Sequence, residues 1–289
     1  MRLVLIHGRA QEGKSSDELK EEWLVALRRG LLDNQLQLPA DTDVQVPFYG
    51  NRLDELIRQL DAPLVEDAVI RGDAKDSIAP EFRGELLEEL AKNAQLSDEE
   101  IKAEFTGEIQ ERGPANWEWV HAILKALDKK TDFGDNVIET FTRDVYVYLT
   151  NAVVRREIDG IVAAALPEQG PCVVVGHSLG SVVGYNVLRR AANSIQVKKY
   201  VTVGSPLGLK SIRKRVESPI KMPECVSEWF NAYDDGDIVA LLPLDENHFN
   251  VDPPIVNKGD VNNHTDNQHS IAGYLDDPEV AKQIQTALT

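Results

Sequence analysis

Gly176-His177-Ser178-Leu179-Gly180 follows the apolar run CVVV and precedes SVVGYNVLRRAAN. A G-x-S-x-G pentapeptide between a strand and a helix is the pattern of a nucleophile elbow. Its turn is so tight that side chains at its flanks collide, which accounts for the two glycines. The strained turn lifts the Ser178 hydroxyl clear of the sheet, and the new helix turns its N-terminal dipole and free N–H groups toward developing negative charge. The backbone N–H of Leu179 is one candidate donor to an oxyanion.

A serine hydroxyl needs a base to act as a nucleophile, and the base needs a carboxylate to orient it. In a strand–elbow–helix arrangement the chain order is Ser, then acid, then His. Three histidines lie downstream of Ser178: His248, His264 and His269. His269 suits the base best, because Ile271, Tyr274 and Leu275 follow it as an apolar anchor. His264 sits in a polar loop and ranks second, and His248 reads as a surface or packing residue. Asp234, Asp235 and Asp237 follow the apolar segment EWFNAY. Asp237 precedes Ile-Val, a returning segment able to bury its carboxylate, and Asp234 is its closest rival.

A second motif competes with this chemistry. Gly8-x-x-x-x-Gly13-Lys14-Ser15 matches a phosphate-cradling loop and follows a strand-like LVLI. Nucleotide chemistry of that kind needs a second strand ending in an Asp that holds magnesium. CVVV ends in Gly-His-Ser, YVTV ends in Gly-Ser-Pro, and EWFNAYD is interrupted by Asn231. The same opening stretch also reads as a strand, then His7-Gly8, then a helix capped by Ser15.

The positioning elements follow from pattern. Short apolar runs at 3–6, 44–48, 172–175, 200–203 and 226–233 read as strands, with 255–256 beginning or prolonging a last one. Pro47 demotes the end of the second strand. Ser15 with Glu18, and Ser97 with Glu100, have capping-box spacing. Leu19, Trp23, Leu27 and Leu31 form one helical stripe, with Gly30 as a weak point or early stop. Ile101, Phe105 and Ile109 form a second stripe, and Trp117, Val120, Leu124 and Leu127 a third. A helical run over 137–166 breaks near Asn151, a helix covers 179–193, and Pro278 opens a last helix. Strands alternating with helices predict an α/β class with a mostly parallel sheet and helices on both faces.

The 289 residues carry a net charge of −17 with 42% hydrophobic content. Such acidity opposes binding to nucleic acid or to anionic lipid by charge alone. Two cysteines and no metal-ligand spacing point to a reducing compartment, and the short apolar run at the N-terminus is no signal peptide. The expectation is a cytoplasmic chain without a transmembrane segment. Residues 51–112 hold 17 Asp or Glu against 8 Lys or Arg, over half of the net charge. This marks 51–135 as a helical insertion, with 1–50 and 136–289 as the core.

His7-Gly8 after a strand, GHSLG around Ser178, VTVGSPLG at 201–208, WFNAYDDGDIVALLP at 229–243 and the late His269 together resemble the lipase and esterase branch of the α/β-hydrolases. The resemblance covers about 2–48 and 170–289. It implies an α/β-hydrolase fold, a Ser178–Asp237–His269 triad and hydrolysis of a carboxylic ester, whether of a small molecule or a lipid, without a cofactor or metal. It also implies that the residue after His7-Gly8, Arg9, supplies the second oxyanion N–H, with Ala10 as the alternative. Arg9 departs from the small or apolar residue usual there. His7, His177, Arg9 and Lys14 are candidates for substrate binding, and 51–135 is the expected cap. Two other readings stand beside this one: a nucleotide-binding protein using the 8–15 loop, and an inactive binding module on the same fold.

Overall fold

The structure, a computed structural model, describes residues 1–8, 11, 13–71, 80–104, 117–130, 137–192, 194–265 and 268–289. The chain divides into two compact units, Met1–Gly50 with Arg156–Thr289, and Asn51–Arg155.

The first unit is an α/β structure built on six parallel strands. These are β1 (Arg2–Ile6), β2 (Asp43–Gln45), β3 (Gly170–His177), β4 (Ile195–Val203), β5 (Val226–Asp234) and β6 (Val256–Val261), in the spatial order β2-β1-β3-β4-β5-β6. The helices in chain order are α1 (Ser16–Asp33), α2 (Gly50–Arg71), α3 (Pro80–Asn93), α4 (Asp98–Ala103), α5 (Trp117–Lys130), α6 (Val137–Thr150), α7 (Ala152–Ala165), α8 (Leu179–Leu188), α9 (Lys210–Arg213), α10 (Ile271–Leu275) and α11 (Pro278–Leu288). No helix among the described residues is long and apolar enough to cross a membrane.

Alternation along the strands divides the core. Leu3, Leu5, Val173, Val175, Val201, Val203, Phe230 and Ala232 share a buried cluster with Leu19, Trp23 and Leu27 of α1, Tyr274 of α10 and Ile284 of α11. On the opposite face Ile6 and Tyr200 meet α8 at Gly184. Successive residues of β1 and β3 face opposite ways yet, past the strand starts, are buried without interruption, as a parallel sheet between helix layers requires. The chain runs from β1 outward to β2 and then returns to β3 on the other side of β1. The carboxyl ends of β1 and β3 therefore flank a topological switch point, where open α/β sheets bind ligands.

Several elements differ from expectation. β2 stops at Gln45, ahead of the proline that removes a ladder donor. α8 ends at Leu188, because β4 begins at Ile195 and pairs 195–197 with 170–172. α1 runs through Gly30 without a break. A Cβ there would stand 2.8 Å from the carbonyl oxygens of Leu275 and Asp276. That glycine allows α10 and the start of α11 to approach, which outweighs its poor helix propensity.

The second unit is helical in its described parts. Ser97 and Glu100 close the capping box of α4, with Ile101 buried behind it. Phe105 and Ile109 lie outside the described residues. The break at Asn151 is present, and its side chain accepts from the N–H groups of Val153 and Val154, as an N-cap does.

Candidate active site

Ser178 joins β3 to α8 with φ 53° and ψ −129°. A non-glycine residue in that region costs about 1–3 kcal/mol, and its surroundings must hold it there. The Ser178 N–H donates to the Val203 carbonyl at 3.2 Å, and its own carbonyl accepts from the Ser181 N–H at 2.9 Å. The Ser181 hydroxyl donates to the same carbonyl at 2.6 Å and meets the Ser205 hydroxyl at 2.8 Å. Both flanking glycines are required by close approach. A Cβ on Gly176 would stand 2.8 Å from Ser181 Cα, and one on Gly180 would run into the carbonyl oxygens of Ile6 and His7. Leu179 is the first residue of α8, so its N–H has no acceptor within that helix.

His269 Nε2 lies 2.7 Å from Ser178 Oγ, and His269 Nδ1 lies 2.6 Å from Asp237 Oδ2. Ser178 is 1% exposed and Asp237 is fully buried. Burying a carboxylate is costly unless its oxygens find donors. Asp237 Oδ1 accepts from the Val239 N–H at 3.1 Å, and Oδ2 accepts from the Tyr274 hydroxyl at 2.7 Å as well as from His269. A carboxylate only accepts, so Nδ1 of His269 carries the ring proton. Nε2 then presents a lone pair to the serine hydroxyl, the tautomer a general base needs.

The other candidates are placed elsewhere. Asp234 ends β5 with Oδ1 held by the Gly236 N–H at 2.6 Å and Oδ2 by the Asn263 N–H at 2.5 Å. Asn263 in turn donates to the Ser270 carbonyl at 2.8 Å, so Asp234 braces the loop that carries His269. His264 is 56% exposed, 3.4 Å from Asp276, and His248 sits against Asp245 at 2.8 Å. Tyr274, read from sequence only as an apolar anchor, is bonded to Asp237. The hydroxyls of Ser181 and Ser205, and Asn263, carry no sequence signal that separates them from ordinary loop and helix residues.

After β1 the chain turns beside the elbow. A Cβ on Gly8 would stand 2.9 Å from Ser178 Cβ, so only glycine fits against the serine. His7 is buried, with Nδ1 2.6 Å from the Gly8 carbonyl and Nε2 accepting from the Tyr49 N–H at 3.0 Å. The Tyr49 hydroxyl donates to the His7 carbonyl. His7 therefore uses both ring nitrogens to shape the turn. Arg9 and Ala10, the candidate second oxyanion donors, lie outside the described residues. Lys14 pairs with Glu22 at 2.7 Å, and Ser15 closes a capping box with Glu18 at the start of α1. These two partnerships account for the last two residues of the 8–15 motif. His177 is buried at the end of β3, its Nε2 2.9 Å from the His269 carbonyl.

Burial, opposed in part by the Gly8 hydrogen bond, lowers His7 from 6.5 to about 4. Between those values the unfolded chain binds a proton that the folded chain does not, so stability falls as pH drops through that window. From His7 the expected loss at about pH 5 is about 2 kcal/mol relative to neutral pH. Burial holds His177 well below its usual range too, which adds a loss of the same sign. Urea unfolding at the two pH values checks this. Equal stabilities, or an unchanged difference in His7→Gln, would contradict it.

Cys172 and Cys225 are buried and unpaired, and burial pushes their thiols up to about 12 and about 11, which leaves them poor nucleophiles. No three His, Cys, Asp or Glu side chains among the described residues cluster as metal ligands. No protein-family model, no curated protein and no solved structure matches this chain. The site joins a buried carboxylate, an imidazole presenting its Nε2 lone pair to the serine, and a serine on a strained turn, in hydrogen-bonded sequence.

Proposed function

We propose that this chain is a serine hydrolase of the α/β-hydrolase kind that cleaves a carboxylic ester. The observation that carries the reading is the continuous Asp237–His269–Ser178 relay, at 2.6 and 2.7 Å, on the elbow after β3. In this reading His269 takes the hydroxyl proton as Ser178 Oγ attacks the ester carbonyl. Asp237 stabilises the imidazolium that forms. The Leu179 N–H and, by resemblance, a main-chain N–H at Arg9 receive the oxyanion. The imidazolium then protonates the departing alcohol. His269 next activates water, which attacks the acyl-enzyme, releases the acid and restores the serine.

The neutral His7, with its ring committed to Gly8 and Tyr49, supports the same reading, since it holds the 7–8 turn against Ser178. Selection among esters is assigned to the acidic sequence inserted between β2 and β3, including 51–135. The purified protein should hydrolyse p-nitrophenyl esters, with kcat/KM varying across a series of acyl lengths. Absence of turnover across the series, with magnesium-dependent binding of ATP or GTP, would replace this reading by the nucleotide one.

A further inference from the structure

Two side chains beside the relay do no chemistry of their own, and each is bonded to one of its members. Tyr274 of α10 is fully buried, and its hydroxyl donates to Asp237 Oδ2 at 2.7 Å. That is the oxygen that also accepts from His269 Nδ1 at 2.6 Å. The Asp234 N–H donates to the Tyr274 oxygen at 3.3 Å, which leaves the hydroxyl proton directed at Asp237. Burial and the adjacent Asp237 charge push Tyr274 well above the usual phenol range, so the proton stays in place at any working pH. His177 occupies the variable position before the serine. Its Nε2 is 2.9 Å from the His269 carbonyl, which can only accept, so Nε2 bears the hydrogen. Burial keeps that ring neutral, consistent with a single donor role.

We infer that Tyr274 and His177 are positioning residues that fix the base from two sides, Tyr274 through the Asp237 carboxylate and His177 through the main chain of His269. This rests on the hydrolytic reading of the relay. Two donors on one oxygen stop the carboxylate from rotating away from the imidazole. The Tyr274 bond also spreads the carboxylate charge that would otherwise favour imidazolium. The His177 bond ties the base loop to the elbow, so nucleophile and base keep their spacing. Around Asp237 and His269, the titratable groups in these contacts are His177 at the end of β3 and Tyr274, which in turn meet His7 after β1 and Asp234 at the end of β5. Both histidines are held neutral, and both Asp234 oxygens are engaged by main-chain N–H groups.

The test compares Tyr274→Phe, His177→Gln and His177→Leu with the parent protein. It reads kcat/KM against pH on a p-nitrophenyl ester and the proton NMR signal of His269 Nδ1–H. In Tyr274→Phe, kcat should fall roughly 10- to 100-fold, the scale of one lost hydrogen bond to a charged group. The acid limb of the profile should move to higher pH, and the Nδ1–H resonance should shift. His177→Gln keeps a donor and should retain most activity, whereas His177→Leu should lose it through kcat. An unmoved acid limb and resonance in a folded Tyr274→Phe, or equal activity in the two His177 variants, would overturn the inference. If Tyr274→Phe does not fold, the His177 pair decides. If the parent protein turns over no ester, the hydrolytic reading fails by itself, and an unchanged Nδ1–H signal in Tyr274→Phe still overturns the positioning role.

Discussion

Ser178→Ala is expected to lower ester turnover by about 10⁴-fold or more while leaving the fold intact. In the proposed mechanism the side chain supplies the nucleophile, and its bond to His269 is not among those that hold the turn. The bonds that keep the elbow at φ 53° run from the Ser178 N–H to Val203 and from Ser181 to the Ser178 carbonyl, all through main-chain atoms of residue 178. Alanine keeps these bonds and is no more strained there than serine. Initial rates on the best p-nitrophenyl ester, with circular dichroism and thermal melting in parallel, measure both halves of the expectation. Turnover within tenfold of the parent would rule out an acyl-enzyme at this residue.

The second large effect separates two carboxylates three residues apart. Asp237→Asn should cost roughly 10⁴-fold in kcat, because an amide can turn its N–H₂ toward His269, favour the wrong tautomer and leave the base without a counter-charge. Asp234→Asn should instead cost stability, about 1–3 kcal/mol, because either the buried Asn263 N–H or the part-buried Gly236 N–H loses its acceptor. Its activity should stay far above that of Asp237→Asn, since the two Asp234 oxygens are engaged by the Gly236 and Asn263 N–H groups. Steady-state kinetics and urea unfolding of both variants decide it. A larger kcat loss in Asp234→Asn would transfer the role of acid to that residue.

The features legible in the sequence are those that local physics determines. The elbow is written in five residues, because a tight strand-to-helix turn excludes side chains at 176 and 180. The capping boxes at Ser15 and Ser97 depend on a partner three residues on. The break at Asn151 likewise depends on a side chain reaching its own helix. What was hidden depends on distant partners. Gly30 looks like a helix defect until α10 and α11 are packed against it, and β4 begins five residues before Tyr200 because β3 offers a partner there. Asp234 and Asp237 carry the same functional group on one loop. Only the turn from the Asp234 carbonyl to the Asp237 N–H, at 3.2 Å, sends one carboxylate to Asn263 and the other to His269. Tyr274 is legible as an apolar anchor because its ring fills the core. Its hydroxyl partner lies 37 residues away in sequence, beyond any local pattern.

An activated nucleophile at Ser178 would show itself by covalent capture. The folded protein is incubated with a fluorophosphonate, digested, and its peptides weighed by mass spectrometry. A single adduct on Ser178 is expected, absent after denaturation and strongly slowed in His269→Gln. No adduct on the folded protein, or one that forms equally well without His269, would contradict it.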